Sequence, residues 1–495
     1  MQLPAPPATA LPEVIPPETP PAADPTAGHS APAMPLSWRV AIGVAIGVLA
    51  VATYAGQEAI GPRGQSLAGI VFFFGLVAMC SANLRAVNWR TIGWGIGLQM
   101  GLALLVLHGR ITLGGHEYSV YSAIERAGDV VKAFIDCSDQ GAKFVFGNLA
   151  EPASLQKVFL DDYLFPFAFK ALPPILFLSA FFTVLYHFGI LQACVRLAAR
   201  VMEHLLRTSG AETLSVAANV FMGQTEAPLI VRPYIPRMTN SELFAVMTSG
   251  MAHISGGLMA VYISYGANPV AVLTTCVMAC PCSLYLSKLF LPEMGRPETT
   301  GGVRAEHAKS PYVNAIDAAA AGTSDGLQLA LNVGAMLIVF IAFVALFDRT
   351  LAWVRPEWFS WTGAELPTQF SLAWLFGKLF SPVAMLVGVE AADQAKVGTL
   401  LGYKLSINEH VAYLTMQSWM IKADFMSPRS YRLAAYALTG FANFSSVGIQ
   451  LGGIGAMAPS RRHDLARLGM RALFVGFVAT LLNASIAGFF SSLSH

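Results

Sequence analysis

Long apolar runs alternate with short polar ones along this chain, and the runs predict helices that cross a membrane. Uninterrupted apolar segments lie at 40–55, 66–82, 92–107, 167–191, 269–291, 327–347 and 470–490. Each is long enough, or nearly so, for a tilted helical span. Two further runs have the length but a polar middle. The run 241–265 is centred on Met247-Thr248-Ser249-Gly250-Met251-Ala252-His253-Ile254-Ser255-Gly256-Gly257, and 431–456 on Thr439-Gly440-Phe441-Ala442-Asn443-Phe444-Ser445-Ser446. Hydroxyls, an imidazole and glycines at mid-span predict that the helix unwinds there.

Two apolar segments, 212–235 and 395–417, are interrupted and each holds a carboxylate, Glu226 and Glu409. In the first, Asn219 and Gln224-Thr225-Glu226 are broken by Gly223 and Pro228. An ionisable group at membrane depth marks a functional site. Irregular backbone is tolerated there only where it lines a protein-walled cavity. Both segments therefore predict helical hairpins that enter and leave on one side. The expected fold is an all-α polytopic membrane protein with about nine transmembrane helices plus two re-entrant hairpins.

The polar segments orient the chain. Arg85 with Arg90, Arg196 with Arg200 and Arg207, Arg296 with Arg304 and Lys309, and Arg461 with Arg462 and Arg467 mark one side. By the positive-inside bias that side is the cytoplasm, and the N-terminus lies with it. Residues 108–165 mix charges with apolar pairs at helical spacing and predict an amphipathic segment on the outer face. Residues 349–369 read as an outer loop and 370–389, interrupted by Pro382, as an interfacial helix. Residues 1–37 hold 11 of the 29 prolines and no Lys or Arg, the pattern of a disordered tail and not of a secretory signal.

Composition removes several function classes. The chain is 55% hydrophobic and 12% charged, against about 25% charge in a soluble domain. A net charge of +2 without a basic, aromatic-interleaved run excludes nucleic acid as a partner. Cys276, Cys280 and Cys282 sit among Ala and Pro without a nearby His or carboxylate, so they read as small residues of a helix interface, not metal ligands.

Two blocks share one grammar. Each runs from an acidic interrupted segment to a span with a polar middle and then to a plain span. The charge pattern starts the two blocks on opposite faces, the signature of inverted repeats in a secondary transporter with its site at their junction. Two carboxylates, two amides and several hydroxyls without Arg or Lys suit a neutral, polyhydroxylated ligand. Phe441 adds a face for ring stacking.

These residues resemble the concentrative nucleoside transporter (CNT) family. The likeness rests on Gly223-Gln224-Thr225-Glu226-Ala227-Pro228-Leu229 with Arg232-Pro233-Tyr234, on Asn408-Glu409 with Val411-Ala412-Tyr413, and on Gly440-Phe441-Ala442-Asn443. Ser324-Asp325-Gly326-Leu327-Gln328-Leu329-Ala330-Leu331-Asn332-Val333-Gly334, Gly452-Gly453, Ala458-Pro459 and Arg461-Arg462 extend it over residues 66–490. The resemblance implies a homotrimer in the lipid bilayer of the cell inner membrane, with a central scaffold and a sliding transport domain in each protomer. It implies a nucleoside held by Gln224, Thr225, Glu226, Leu258, Glu409, Phe441, Asn443 and Ser446. It implies a coupling cation near Asn219, Thr225, the carbonyls of Met222 and Ile254, and the position of His253.

His253 departs from the small hydroxyl usual there, so Na+ and H+ both remain open as the coupling ion. His410 stands where the family has Phe. No cofactor is expected. The expected organisation is a tail at 1–37, scaffold-side helices at 38–107, the amphipathic segment 108–165, a first repeat at 166–325 with its hairpin at 212–235, and a second at 326–490 with its hairpin at 395–417. The rival readings are a membrane-embedded metal-dependent hydrolase, which lacks any HExxH-like spacing, and a passive nucleoside channel.

Overall fold

The computed structural model describes residues 34–113, 116–159, 167–170, 172–300, 312–353, 370–421 and 426–491. Most of the expected tail, residues 301–311 of the expected inner loop and residues 354–369 of the expected outer loop lie outside them.

The chain opens with three helices, α1 (Leu36–Ala55), α2 (Gln57–Met79) and α3 (Trp89–His108). Two short antiparallel strands follow, β1 (Arg110–Leu113) and β2 (His116–Ser119), with Leu113 opposite His116. They are a short addition to a fold that is otherwise all-α, as expected. Ile111, Thr112 and Tyr118 favour extended backbone. The amphipathic expectation for 108–165 becomes α4 (Val120–Phe146) and α5 (Pro152–Phe159).

After α6 (Phe167–Lys170), α7 (Leu172–His187) and α8 (Ile190–Leu206) meet at a bend of 74°. Gly189 takes a positive φ of 78° there, which a side chain would resist. The apolar run 167–191 therefore ends at this corner. Beyond it, α8 buries Leu191, Val195, Ala199, Met202 and Leu206, a stripe at helical spacing.

The first repeat comprises α9 (Gly210–Ala218), a turn, α10 (Asn240–Ala252), α11 (Gly256–Ser264) and α12 (Pro269–Phe290). The first hairpin arm and the first broken span each start with a capping box, Ser209 with Glu212 and Thr239 with Glu242. The two starts are bolted to the end of α12. Lys288 Nζ lies 2.7 Å from Glu212 and 3.3 Å from Glu293, and Ser209 Oγ lies 2.5 Å from Glu242.

Next, α13 (Ala315–Leu351) runs for 37 residues along α7. Gly322 and Gly326 allow the approach: a Cβ on Gly326 would sit 2.8 Å from Leu176 Cα and 3.1 Å from the Ile175 carbonyl oxygen. The chain continues with α14 (Leu372–Val387), which runs through Pro382 and packs on α15 (Gln394–Ser406). It goes on with α16 (Glu409–Ile421), α17 (Pro428–Leu438), α18 (Phe444–Met457) and α19 (Arg462–Phe490).

The core is built around α12 and α19, with α10 packed on both. Helices α2 and α3 pack on α12 and α19, so this part of the segment 38–107 lies with the broken spans, whereas α7 pairs with α13. Among the described residues six helices, counting α10–α11 as one, are long and apolar enough to cross a membrane, and seven if α7–α8 counts as one span. The nine expected spans also include α13 and the broken pair α17–α18.

Candidate functional site

Each repeat breaks a helix at the same relative place. In the first, α10 ends at Ala252, His253–Ser255 are extended, and the Ser255 hydroxyl restarts the chain by accepting from the Leu258 amide at 3.4 Å. In the second, α17 ends at Leu438, and Asn443 caps α18 by accepting from the Ser446 amide at 2.8 Å. An Asn or Ser before a new helix satisfies one of its orphan N–H groups.

The two breaks touch. The Phe441 amide donates to the His253 carbonyl at 3.0 Å. Gly440, with φ of 148°, lies against α10, where a Cβ would meet the carbonyls of Ala252 and Met251 at 3.1 and 3.2 Å and Thr480 Cγ2 at 2.6 Å. The first hairpin joins on one side, since the Gly256 amide donates to the Phe221 carbonyl at 3.0 Å. The second hairpin joins on the other through Glu409.

A chain of polar groups crosses this junction. Glu409 accepts from Tyr262 Oη at 2.8 Å on one oxygen and from Asn443 Nδ2 at 3.0 Å on the other. Asn443 Oδ1 accepts from Ser445 Oγ at 2.7 Å as well as from the Ser446 amide. Gln224 Nε2 donates to Ser446 Oγ at 3.1 Å, and Gln224 Oε1 accepts from Gln450 Nε2 at 3.3 Å. The line Tyr262–Glu409–Asn443–Ser446–Gln224–Gln450 thus ties the two hairpins to both broken spans. Glu409, Asn443, Ser446, Gln224, Leu258 and Phe441 are all buried.

The remaining expected residues divide. Thr225 is half-buried and packs on Gly453, where even a methyl group would clash with it. Glu226 is exposed and turns back on its own loop, accepting from the Gly223 amide at 3.0 Å. Glu226 is outside the polar line that Glu409 joins.

The expected cation residues Asn219, Met222, Thr225, His253 and Ile254 lie where the first hairpin turn meets the first break. Asn219 Nδ2 donates to Ser249 Oγ at 3.0 Å, while its buried Oδ1 has no hydrogen-bond partner among the described residues. An unpaired oxygen at that depth suits a hard cation. The His253 ring is separated from it by Ser249, whose Oγ lies 3.3 Å from Nδ1. Nδ1 lies 2.9 Å from the Ser249 carbonyl oxygen and Nε2 3.4 Å from Cys280 Sγ on α12. The donor set that fits a small cation is therefore oxygen, with the imidazole turned into the helix interface.

Four residues were missed at the sequence level. Tyr262 and Gln450 sit one helical turn beyond Leu258 and Ser446, and that i+4 spacing is the signal that would have found them. Tyr413 stacks on Tyr262 with ring centroids 4.4 Å apart. Lys404 is fully buried on α15. His410 stands edge-on to Tyr262 and Tyr265 and lies 3.0 Å from the Tyr265 hydroxyl, so it occupies an aromatic position.

Comparison with known proteins supplies the family. Residues 68–149 and 271–488 match the models described as "Na+ dependent nucleoside transporter N-terminus" and "C-terminus", and residues 168–269 match "Nucleoside recognition". An uncharacterized transporter of Haemophilus influenzae is 38% identical over 87% of this chain and 98% of its own. Sodium/nucleoside cotransporter 1 of Mus musculus is 37% identical over 93% of this chain and 69% of its own. Among solved structures, CNTnw in an inward-facing substrate-bound state aligns with a TM-score of 0.77 at 35% identity, covering 87% of this chain and 98% of that one. A doubly substituted CNTnw in an outward-facing state aligns with 0.78 at 34% identity, covering 88% and 98%. These relatives are transporters and not enzymes. The chain is a multi-pass membrane protein and belongs to the sodium-dependent nucleoside transporter family.

Proposed function

We propose that this chain imports nucleosides across the cell inner membrane by sodium-coupled alternating access. The observation that carries the reading is the buried polar line from Tyr262 through Glu409, Asn443 and Ser446 to Gln224. It offers carboxylate and amide groups that exchange hydrogen bonds with ribose hydroxyls at one end and an amide for a base edge at the other. In this reading Glu409, Asn443 and Ser446 hold the ribose. Gln224 and Thr225 meet the base, with Glu226 near it. Leu258 and Phe441 border the base.

Two features of the first junction favour sodium over a proton. Among the described residues Asn219 Oδ1 is a buried acceptor without a partner, and both His253 ring nitrogens are taken up by Ser249 and Cys280. Sodium travels as co-substrate through oxygens of Asn219, Met222, Thr225 and Ile254. Binding both ligands stabilises one arrangement of hairpins and breaks, and that shared preference is the coupling.

The N-terminus lies in the cytoplasm. Helices α4, α7 and α13 form the scaffold, and the exposed apolar face of α13, with Leu331, Ile338, Ile341 and Leu346, meets its copies in a homotrimer. Each protomer slides its hairpin-bearing block past that scaffold. A passive channel would not need two hairpins joined to two broken spans.

The test is uptake of radiolabelled uridine and adenosine into proteoliposomes under sodium and pH gradients imposed separately. Accumulation under the sodium gradient alone is expected. Uptake that ignores sodium, or that never exceeds equilibrium, would refute the proposal.

A further inference from the structure

We propose that Lys404 is a built-in cation: its ammonium serves the second repeat at the junction where the first repeat takes the coupling sodium, so that one sodium ion accompanies each nucleoside. The proposal rests on the sodium-coupled reading above and adds the stoichiometry.

The two repeats correspond element by element: α9 and its turn with α15 and α16, α10–α11 with α17–α18, and α12 with α19. In the second, Lys404 is a fully buried lysine on the hairpin arm. Its Nζ donates to the Ala437 carbonyl at 2.7 Å, in the last turn of α17 before the break, and to Thr480 Oγ1 at 2.8 Å on α19. The Phe477 ring faces the ammonium at 5.5 Å. The C-terminal end of a broken helix presents orphan carbonyls with partial negative charge, and a cation there is favourable. The same hairpin carries Glu409, and a buried carboxylate is tolerated only with compensation. Tyr262 and Asn443 supply it by hydrogen bonds, and Lys404 supplies it by charge.

The first repeat lacks this group. The same two places, the last turn of α10 and the middle of α12, are reached by the His253 ring through the Ser249 carbonyl and Cys280. Its hairpin arm α9 carries no lysine. What the arm brings to the junction is Asn219, whose buried Oδ1 has no hydrogen-bond partner among the described residues. One repeat thus keeps an unpaired oxygen beside its break, and the other has filled the equivalent junction with an ammonium of its own. The consequence is an asymmetry of function within a symmetric fold: the first junction is emptied and refilled in each cycle, and the second keeps its lysine throughout.

The experiment uses the purified full-length protein in proteoliposomes and reads sodium moved per nucleoside and the steepness of sodium activation. The wild type is expected to move about one sodium per uridine with a Hill coefficient of about one. Lys404→Ala leaves the Ala437 carbonyl and Thr480 hydroxyl as oxygen donors in an emptied space. Its Hill coefficient is expected to rise towards about two, with half-activation at roughly tenfold more sodium. Lys404→Met keeps the volume without the charge and is expected to weaken uridine binding about tenfold in calorimetry, at any sodium concentration.

Two sodium ions per uridine in the wild type would overturn the proposal and leave sodium-coupled import standing. Uptake indifferent to sodium in the wild type would overturn both. Unchanged steepness in Lys404→Ala, or unchanged uridine affinity in Lys404→Met, would overturn the built-in cation alone. If neither variant folds, the wild-type stoichiometry still decides.

Discussion

At Glu409 both carboxylate oxygens are engaged, by Tyr262 and by Asn443, and both donors are buried. Glu409→Gln puts an amide hydrogen where one of those donors points. A buried polar group left without a partner costs about 1–3 kcal/mol, so uridine affinity should fall about 5- to 150-fold while insertion is retained. Calorimetry on the purified variant checks this, and wild-type affinity would contradict the ribose-holding role. Gly440 offers a steric test. A methyl group there meets Thr480 and two α10 carbonyls, on a backbone with positive φ. Gly440→Ala should push the two breaks apart and abolish uptake, with the protein still present in the membrane by blotting. Full uptake by that variant would show that the contact between the breaks is dispensable.

The residue scale is also where the sequence reads least well. Glu226 and Glu409 look alike in the chain, each an acid in an interrupted apolar segment. In the fold Glu409 is enclosed between two spans, and Glu226 folds over its own turn onto the Gly223 amide. Periodicity locates a turn but not the direction of a side chain leaving it. Lys404 was passed over for a related reason: one lysine in an apolar stretch gives no sign that it reaches a carbonyl 33 residues away.

Among the elements, the hydrophobic runs located the helices well, because a membrane span is specified by length and apolarity alone. The polar runs 247–257 and 439–446 announced the breaks in the same direct way, although the first break falls at His253–Ser255, past the Thr248-Ser249-Gly250 that stays helical in α10. Three features were not legible. The strands Arg110–Leu113 and His116–Ser119 are too short for an alternating pattern. The corner at Gly189 falls within a continuous apolar run, and the helix continuing through Pro382 overrides the expected interruption. The arrangement Ser209–Glu212, Thr239–Glu242 and Lys288 ties three helix ends together. Lys288→Met removes the cation from this buried cluster and leaves Glu212 unpaired, a loss of about 3–5 kcal/mol. Thermal unfolding in detergent should show a clear drop in the midpoint, and an unchanged midpoint would mean that the cluster does not hold the first hairpin to α12.

For the whole molecule, the repeat was visible as a repeated order of segment types, and the fold realises that order as two hairpins meeting two broken helices. How the halves meet was not visible, because it depends on hydrogen bonds between residues about two hundred positions apart, such as Gln224 to Ser446 and Gln450 to Met247. The central claim is that this meeting point is where a nucleoside binds. Electron cryomicroscopy of the protein with uridine and sodium tests it most directly. The account predicts density for the ribose within hydrogen-bond distance of Glu409 and Asn443, with the base towards Gln224 and Phe441. Uridine bound elsewhere, with the line from Tyr262 to Gln224 still closed on itself, would contradict it.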